Sequence, residues 1–231
     1  ASLLQDRNVL YDGQNIAVVI ADTLQRAQTA AQSVRVRYGE GEAITTMDSA
    51  LQSSREPKQF ANGKAKPNSR TGDPDTAMHR SPIRVDNTYV TPIEHHNPME
   101  PHSTIAQWDG DNLTVWTTTQ GISAAQQTLA ALFRLDPKQV TVLCPFVGGG
   151  FGCKGNTWPQ TILAAMAARY IRRPVKLEVT RQQMFTSNGY RPRTVQHVQL
   201  GADTQGKLQS LRHDSLTQMS MPELGEFAEP V

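Results

Sequence analysis

Residues 140–154, VTVLCPFVGGGFGCK, with the apolar run behind them, constrain this chain more than any other stretch. Val140, Val142 and Cys144 alternate with Thr141 and Leu143 in a segment rich in β-branched residues, the pattern of a strand entering a buried sheet. Pro145 has no N–H to donate and ends the ladder. Gly148, Gly149, Gly150 and Gly152 then place four glycines in five positions around Phe151. Without Cβ atoms the backbone is open to close approach and to positive φ. Amides exposed in such a loop can converge on an anionic or multiply polar ligand, the more so where a helix N-terminus follows. The stretch 158–172, rich in Ala, Leu, Met and Ile, predicts that helix. Strand, glycine loop and helix together mark where chemistry is expected.

Two nucleotide readings of the loop fit poorly. Gly148-x-Gly150 begins a dinucleotide fingerprint, and Glu178 stands near the end of the next strand. Position 153 is cysteine where the third glycine would let helix and strand pack closely. A phosphate loop needs Gly-Lys-Ser/Thr, whereas Lys154 lies between Cys153 and Gly155. A glycine turn that serves only tight packing is the plain structural alternative.

The rest of the chain bounds the fold class. Its 231 residues suffice for one large domain or two small ones. A hydrophobic content of 38% and a negative mean hydropathy point to linker in part of the chain. The formal charge of +2, with signs mixed along the sequence, offers no basic stripe for nucleic acid. No apolar run approaches the roughly 20 residues that span a bilayer, and the start ASLLQDRNVL has no signal-peptide pattern. That start and the end EFAEPV both read as cut from a longer polypeptide. The cytoplasm is the default compartment; periplasmic export through a partner's signal would leave the same sequence.

Ile16 to Ala21 reads as a buried strand, followed by a helix with Asp22 and Gln25 at capping-box spacing and Leu24, Ala27, Ala31 and Val34 on one face. Val34 to Tyr38 then alternates as a half-exposed strand. This β-α-β unit is too small for a full core and must lean on other structure. From Ser53 to Ser81, prolines and glycines interleaved with polar residues read as a linker. Ile83 to Tyr89 resumes strand alternation. The segment 94–102, EHHNPMEPH, holds three histidines and two glutamates in nine residues. Pro98 and Pro101 forbid a helix that would align metal ligands, so a rigid, hydrogen-bonded turn is the expectation.

Leu113 to Thr119 predicts a strand ending at Gln120. Ser123 and Gln126 form a second capping-box pattern, with Leu129, Leu132 and Phe133 as an apolar helix face. Asp136-Pro137 is an N-cap with proline at the first helical position. VKLEVT (175–180) reads as another strand. Val195–Leu200 and Leu208–Leu216 form a hairpin around DTQG (203–206). The two cysteines, Cys144 and Cys153, are too few for a disulfide framework and read as structural thiols. Lys154 beside Cys153 raises the alternative of a reactive thiolate.

HNPMEPH (96–102), WTTTQG (116–121) and VGGGFGCK (147–154), in this order and at these separations, resemble the molybdopterin-binding subunit of the xanthine dehydrogenase and aldehyde oxidase family. The resemblance covers nearly the whole chain and implies an α+β fold. Residues 1–52 look like the C-terminal part of an α/β hammerhead domain, 53–82 like a linker, and 83–231 like the first part of the molybdenum-binding domain, a mixed sheet with helices.

The resemblance also implies the site. Gln120 matches a glutamine whose side-chain amide bonds an oxygen ligand of molybdenum. Gly149, Gly150, Phe151 and Gly152 match positions that approach the molybdenum centre and the pterin. Xanthine-oxidising members carry Gly-Gly-Gly-Phe-Gly-Gly-Lys-Glu, and the closing glutamate contacts the purine. Here Gly155 takes that position and Cys153 replaces a glycine. Losing that carboxylate argues against xanthine and for an aldehyde or an N-heterocycle.

The family's catalytic base, a later glutamate, matches nothing before Val231. No catalytic residue and no direct metal ligand is therefore expected in this stretch, and alone it should be inactive. Iron–sulfur clusters and FAD are implied in partner subunits or domains, since two cysteines cannot hold a four-thiolate cluster. Surface left bare by missing partner segments predicts self-association. The rival from another class is a non-catalytic interaction module derived from the same fold.

Overall fold

The computed structural model describes residues 3–4, 7–56, 66 and 68–218. The central part of the expected linker, 57–65 and 67, and the terminal EFAEPV lie outside the described residues. In chain order the described elements are α1 (Leu24–Ser33), α2 (Met47–Ala50), α3 (Pro74–Arg80), β1 (Ile83–Thr91), β2 (Ser103–Asp109), β3 (Asn112–Thr117), α4 (Ile122–Phe133), β4 (Val140–Leu143), α5 (Pro159–Ile171), β5 (Val175–Glu178), α6 (Gln183–Thr186), β6 (Thr194–Ala202) and β7 (Leu208–Thr217). The fold is α+β, and the chain forms two compact units. One joins the described residues up to Gly39 with His95–Tyr190; the other joins Glu40–Glu94 with the residues from Arg191 onward.

The first unit is built on a mixed four-stranded sheet in the order β4-β3-β2-β5. β2 pairs antiparallel with β3 and β5, while β4 lies parallel to β3. A parallel neighbour needs a crossover, and α4 supplies it between β3 and β4. Inward residues alternate along the strands: Leu113 and Val115 on β3, Ala106 on β2, Val140 and Val142 on β4. Ala125, Leu129 and Ala130 of α4 and Ala164, Ala165 and Ala168 of α5 close the same core. The small residues of α5 bring its backbone close enough for Trp108 Nε1 to donate to Ala165 O at 2.9 Å. Below them Thr104, Thr117 and Thr161 satisfy one another, with hydroxyl separations of 2.7–3.3 Å. Buried hydroxyls without such partners would each cost about 1–3 kcal/mol.

The expected strand at 140–144, the helix at 158–172, the strand after Pro174 and the 195–216 hairpin are all present. Asp136 and Gln139 form a capping box around a 3₁₀ turn at Pro137–Gln139. Other expectations change. Among the described residues, 16–21 and 34–38 form no strand, because no ladder partner lies beside them. The helix between them does form, but Thr23, not Asp22, caps it, accepting from Arg26 N, and it buries no side chain. Asp22 instead pairs with the Arg26 side chain. Gln126 makes no capping box with Ser123; it donates to Pro137 O and Val140 O and ties α4 to the start of β4. Leu132, expected on the apolar face, is 53% exposed. β2 had no counterpart in the sequence reading. Its Asp109-Gly110 hairpin turn uses a positive φ of 55° at Gly110.

The second unit is an antiparallel sheet in the order β1-β6-β7. α3 packs on one face of it and falls inside the stretch expected to be linker. Asp73 caps α3 by accepting from Thr76 N, with Pro74 at the first turn. The close approach is made at Gly201, where a Cβ would meet Ser81 Oγ at 2.6 Å and Met78 Sδ at 3.2 Å. Ser210 Oγ donates to Pro74 O at 2.8 Å on the same face.

Candidate functional site

The first unit brings the three sequence motifs together at the strand ends. β3 finishes at Thr117, and the next residues lead to Gln120 before α4 begins. The glycine loop follows β4, which is parallel to β3, so both ends open on the same edge of the sheet. Brought there as well, the 96–102 turn reaches the loop through Glu100, whose N–H donates to Gly148 O at 3.1 Å.

Gln120 is exposed, but its side chain is fixed. Its Oε1 accepts from the N–H of Gly152 and of Lys154, both at 3.1 Å. Its own N–H donates to Lys154 O at 2.8 Å. Two N–H donors on one atom require that atom to be the carbonyl oxygen, so Nε2 is the end left to donate. Gly150 lies under this side chain: a Cβ there would stand 2.4 Å from both Cδ and Oε1 of Gln120. Gly149 and Gly152 adopt φ of 92° and 93°, and Phe151 lies between them in the left-handed region at 52°. A bulky residue held there stores backbone strain of the kind found at ligand clamps.

The loop spends many of its own amides internally. Gly148 N donates to Glu100 Oε2, Cys153 N to Gly150 O, and Gly155 N to Gly152 O. Among the described residues, the N–H groups of Gly149, Gly150 and Phe151 carry no protein acceptor. They are the amides available to a ligand. The helix expected over 158–172 is α5, which starts at Pro159 with Trp158 at its N-cap.

Lys154 is fully buried, and its ammonium contacts Glu100 Oε2 at 2.7 Å. Burial raises the Glu100 pKa, but hydrogen bonds from Lys154 and Gly148 outweigh it and hold the carboxyl below its usual range. Neither residue stood out in sequence as a pair. Glu100 belongs to a segment read as a rigid, hydrogen-bonded turn with no distant partner named, and the contact spans 54 positions. Among the described residues no group of three His, Cys, Asp or Glu could hold a metal ion. His95 stacks edge-on with Phe185, and Arg181 donates to Asn97 Oδ1 and Met99 O, which makes the segment a rigid turn.

Cys153 is buried, with Sγ 3.2 Å from His102 Nε2, and Lys154 points away from it to Glu100. Burial, followed by the Lys154 charge, pushes His102 down to about 4. His102 is therefore neutral at pH 7, while in the unfolded chain it titrates near 6.5. The unfolded state binds the extra proton between these values, so stability is complete above about 6.5 and falls as pH drops towards 4. The loss is at most about 3 kcal/mol. Urea midpoints should fall across this window in the natural protein, and His102→Gln should remove most of that dependence. A variant with the same slope would locate the proton uptake elsewhere.

Gly155 is exposed and close to the loop; a Cβ there would meet Gly152 O at 3.2 Å. No helix among the described residues is long and apolar enough to cross a membrane.

Comparison with known proteins identifies the family. The chain is 34% identical over 215 residues to the aldehyde oxidoreductase molybdenum-binding subunit PaoC of Escherichia coli, covering 93% of this chain and 29% of that protein. It is 30% identical over 214 residues to the nicotinate dehydrogenase large molybdopterin subunit of Eubacterium barkeri, covering 90% of this chain and 49% of that one. The fold superposes on quinoline 2-oxidoreductase from Pseudomonas putida 86 with a TM-score of 0.73 and 26% identity, over 86% of this chain and 26% of that one. The chain thus spans between about a quarter and a half of the length of these relatives. Residues 54–229 match the molybdopterin cofactor-binding domain, and with three-quarters of its length inside that match the chain belongs to this family.

Proposed function

We propose that this chain is a section of a molybdenum hydroxylase large subunit in which Gln120 and the glycine loop hold the molybdopterin cofactor. The observation that carries this reading is the fixed carboxamide of Gln120. Its carbonyl is locked by Gly152 and Lys154, which leaves Nε2 as a donor beside three loop amides that lack protein acceptors. A buried amide such as that of Gly150 needs a partner, and an oxygen-rich ligand supplies one. The residues therefore fit the group.

When bound, the cofactor supplies the two-electron redox step. The chain's own residues bind and orient. Gln120 Nε2 would donate to an oxygen of the bound group, and because its carboxamide is already held the contact would need no reorganisation during reaction. Gly149, Gly150 and Gly152 admit the ligand to the backbone, and Phe151 presents an exposed ring at the mouth. None of these residues is assigned as a direct metal ligand or as the catalytic base, so this stretch alone is expected to be inactive. In this reading 1–52 closes a hammerhead-like domain, 53–82 links with its last turns forming α3 on the sheet of the second unit, and 83–231 begins the molybdenum domain. Iron–sulfur and FAD centres in companion subunits or domains would accept the electrons.

The substrate class follows from Gly155. Without a carboxylate there, this position offers no charged partner to a purine, so aldehydes or N-heterocycles are the proposed substrates. The full-length protein, purified with its companions, should oxidise members of these classes and leave xanthine largely untouched. Comparable xanthine turnover would contradict the reading. Gly155→Glu should raise the kcat/KM for xanthine relative to an aldehyde about tenfold or more. Its backbone φ is ordinary, and the new Cβ asks only a few tenths of an ångström from Gly152 O.

A further inference from the structure

We propose that Glu100 and Lys154 are positioning residues for the cofactor loop, closing it at both ends and thereby holding the Gln120 carboxamide in one orientation. This rests on the reading of Gln120 as a cofactor contact. Glu100 touches the start of the loop twice: its N–H donates to Gly148 O, and Oε2 accepts from Gly148 N at 2.8 Å. The same Oε2 receives the Lys154 ammonium at the far end of the loop. Lys154 in turn donates its backbone N–H to Gln120 Oε1 and accepts from Gln120 N. One carboxylate, one ammonium and two backbone groups thus form a continuous path from Gly148 to Gln120. The loop backbone between, with its two positive-φ glycines and Phe151, has no strand or helix of its own to stabilise it.

Charge placement argues for the loop over simple core packing. A wholly buried ammonium is costly unless a carboxylate faces it, and an apolar side chain of equal length would fill the same space more cheaply. The pair earns no obvious stability that a methionine could not match; what it adds is a charged hydrogen bond fixed in direction at the loop mouth. Gly148 leaves room for it, since a Cβ there would stand 2.6 Å from Glu100 Cβ.

The test uses the full-length protein with its companions and three variants: Glu100→Gln, Lys154→Met, and the two combined. Glu100→Gln leaves the buried Lys154 ammonium without a charged partner and should lower the Tm; Lys154→Met leaves the partly exposed Glu100 carboxylate with only its Gly148 bond and should lower it less. The double variant removes both charges and should recover most of that loss. Hydrogen exchange of the protected amides at 152 and 154 should quicken at least tenfold in all three, with α4 unchanged. Molybdenum content should fall at least fivefold in all three, including the double variant. A double variant that regains molybdenum together with its Tm would overturn the proposal, as would unchanged exchange at 152 and 154. Should the natural protein carry no molybdenum, the cofactor reading fails by itself, and exchange alone decides whether the pair holds the loop.

Discussion

Gly150→Ala should cost the full-length protein at least about a hundredfold in kcat/KM for the oxidation proposed above, the scale of losing one preorganised donor at a reacting centre. The new Cβ would lie 2.4 Å from Cδ and Oε1 of Gln120 and 2.8 Å from its Cγ, distances that real side chains do not tolerate. Gln120 must then rotate away or the loop must shift. Either movement breaks the two bonds from Gly152 and Lys154 that hold the carbonyl. The backbone at 150 is not in the left-handed region, so alanine brings no conformational strain of its own. Stability should therefore change by less than about 1–2 kcal/mol, the worth of the lost bonds, while molybdenum content and turnover fall together. Gly39→Ala, where a Cβ meets nothing within 4 Å, is the matched control and should leave both unchanged. Full turnover in Gly150→Ala would show that the orientation of Gln120 is irrelevant.

Leu129→Ala should destabilise the first unit by about 2–5 kcal/mol, measured by urea unfolding. Leu129 is wholly buried among Leu113, Val115, Val140 and Val142, where sheet and helices enclose the space it would vacate. Leu132→Ala, only three positions further along the helix and half exposed, should cost less than about 0.5 kcal/mol. Similar costs at the two positions would mean that α4 is rotated relative to the sheet.

That pair also shows where the sequence stops being informative. Apolar spacing identified α4 as a helix, yet Leu129 and Leu132 were equivalent in the pattern. The true buried face runs through Ala125, Leu129 and Ala130, with alanines where α4 approaches β4. β2 escaped notice because its inward residues include Thr104 and Ala106, which show little apolar contrast. Its burial is supported by hydroxyl bonding to Thr117 and Thr161, a property of three distant positions. α3 carries an Asp-Pro start like the one read correctly at 136–137. Its small, polar and basic residues in a Pro- and Gly-rich stretch concealed it. Conversely, 16–21 and 34–38 have strand composition but no strand beside them, and pairing is what makes a strand.

The site divides in the same way. That Gln120 and the glycine loop belong to one candidate site was legible because the loop is contiguous and its motif is specific; the structure brings the two into contact. The Glu100–Lys154 contact was not, because nothing local in either segment announces a partner 54 residues away. Likewise, glycine count alone could not show that the loop would turn several of its amides inward, onto Glu100 and Gln120, and leave three for a ligand.

The most direct measurement is the molybdenum content of the full-length parent protein, natural and Gly150→Ala, purified side by side. The account predicts about one molybdenum per polypeptide in the natural protein and a severalfold lower content in the variant at similar Tm. A natural protein free of molybdenum, folded and with its companions present, would contradict it and leave this fold serving as a non-catalytic interaction module.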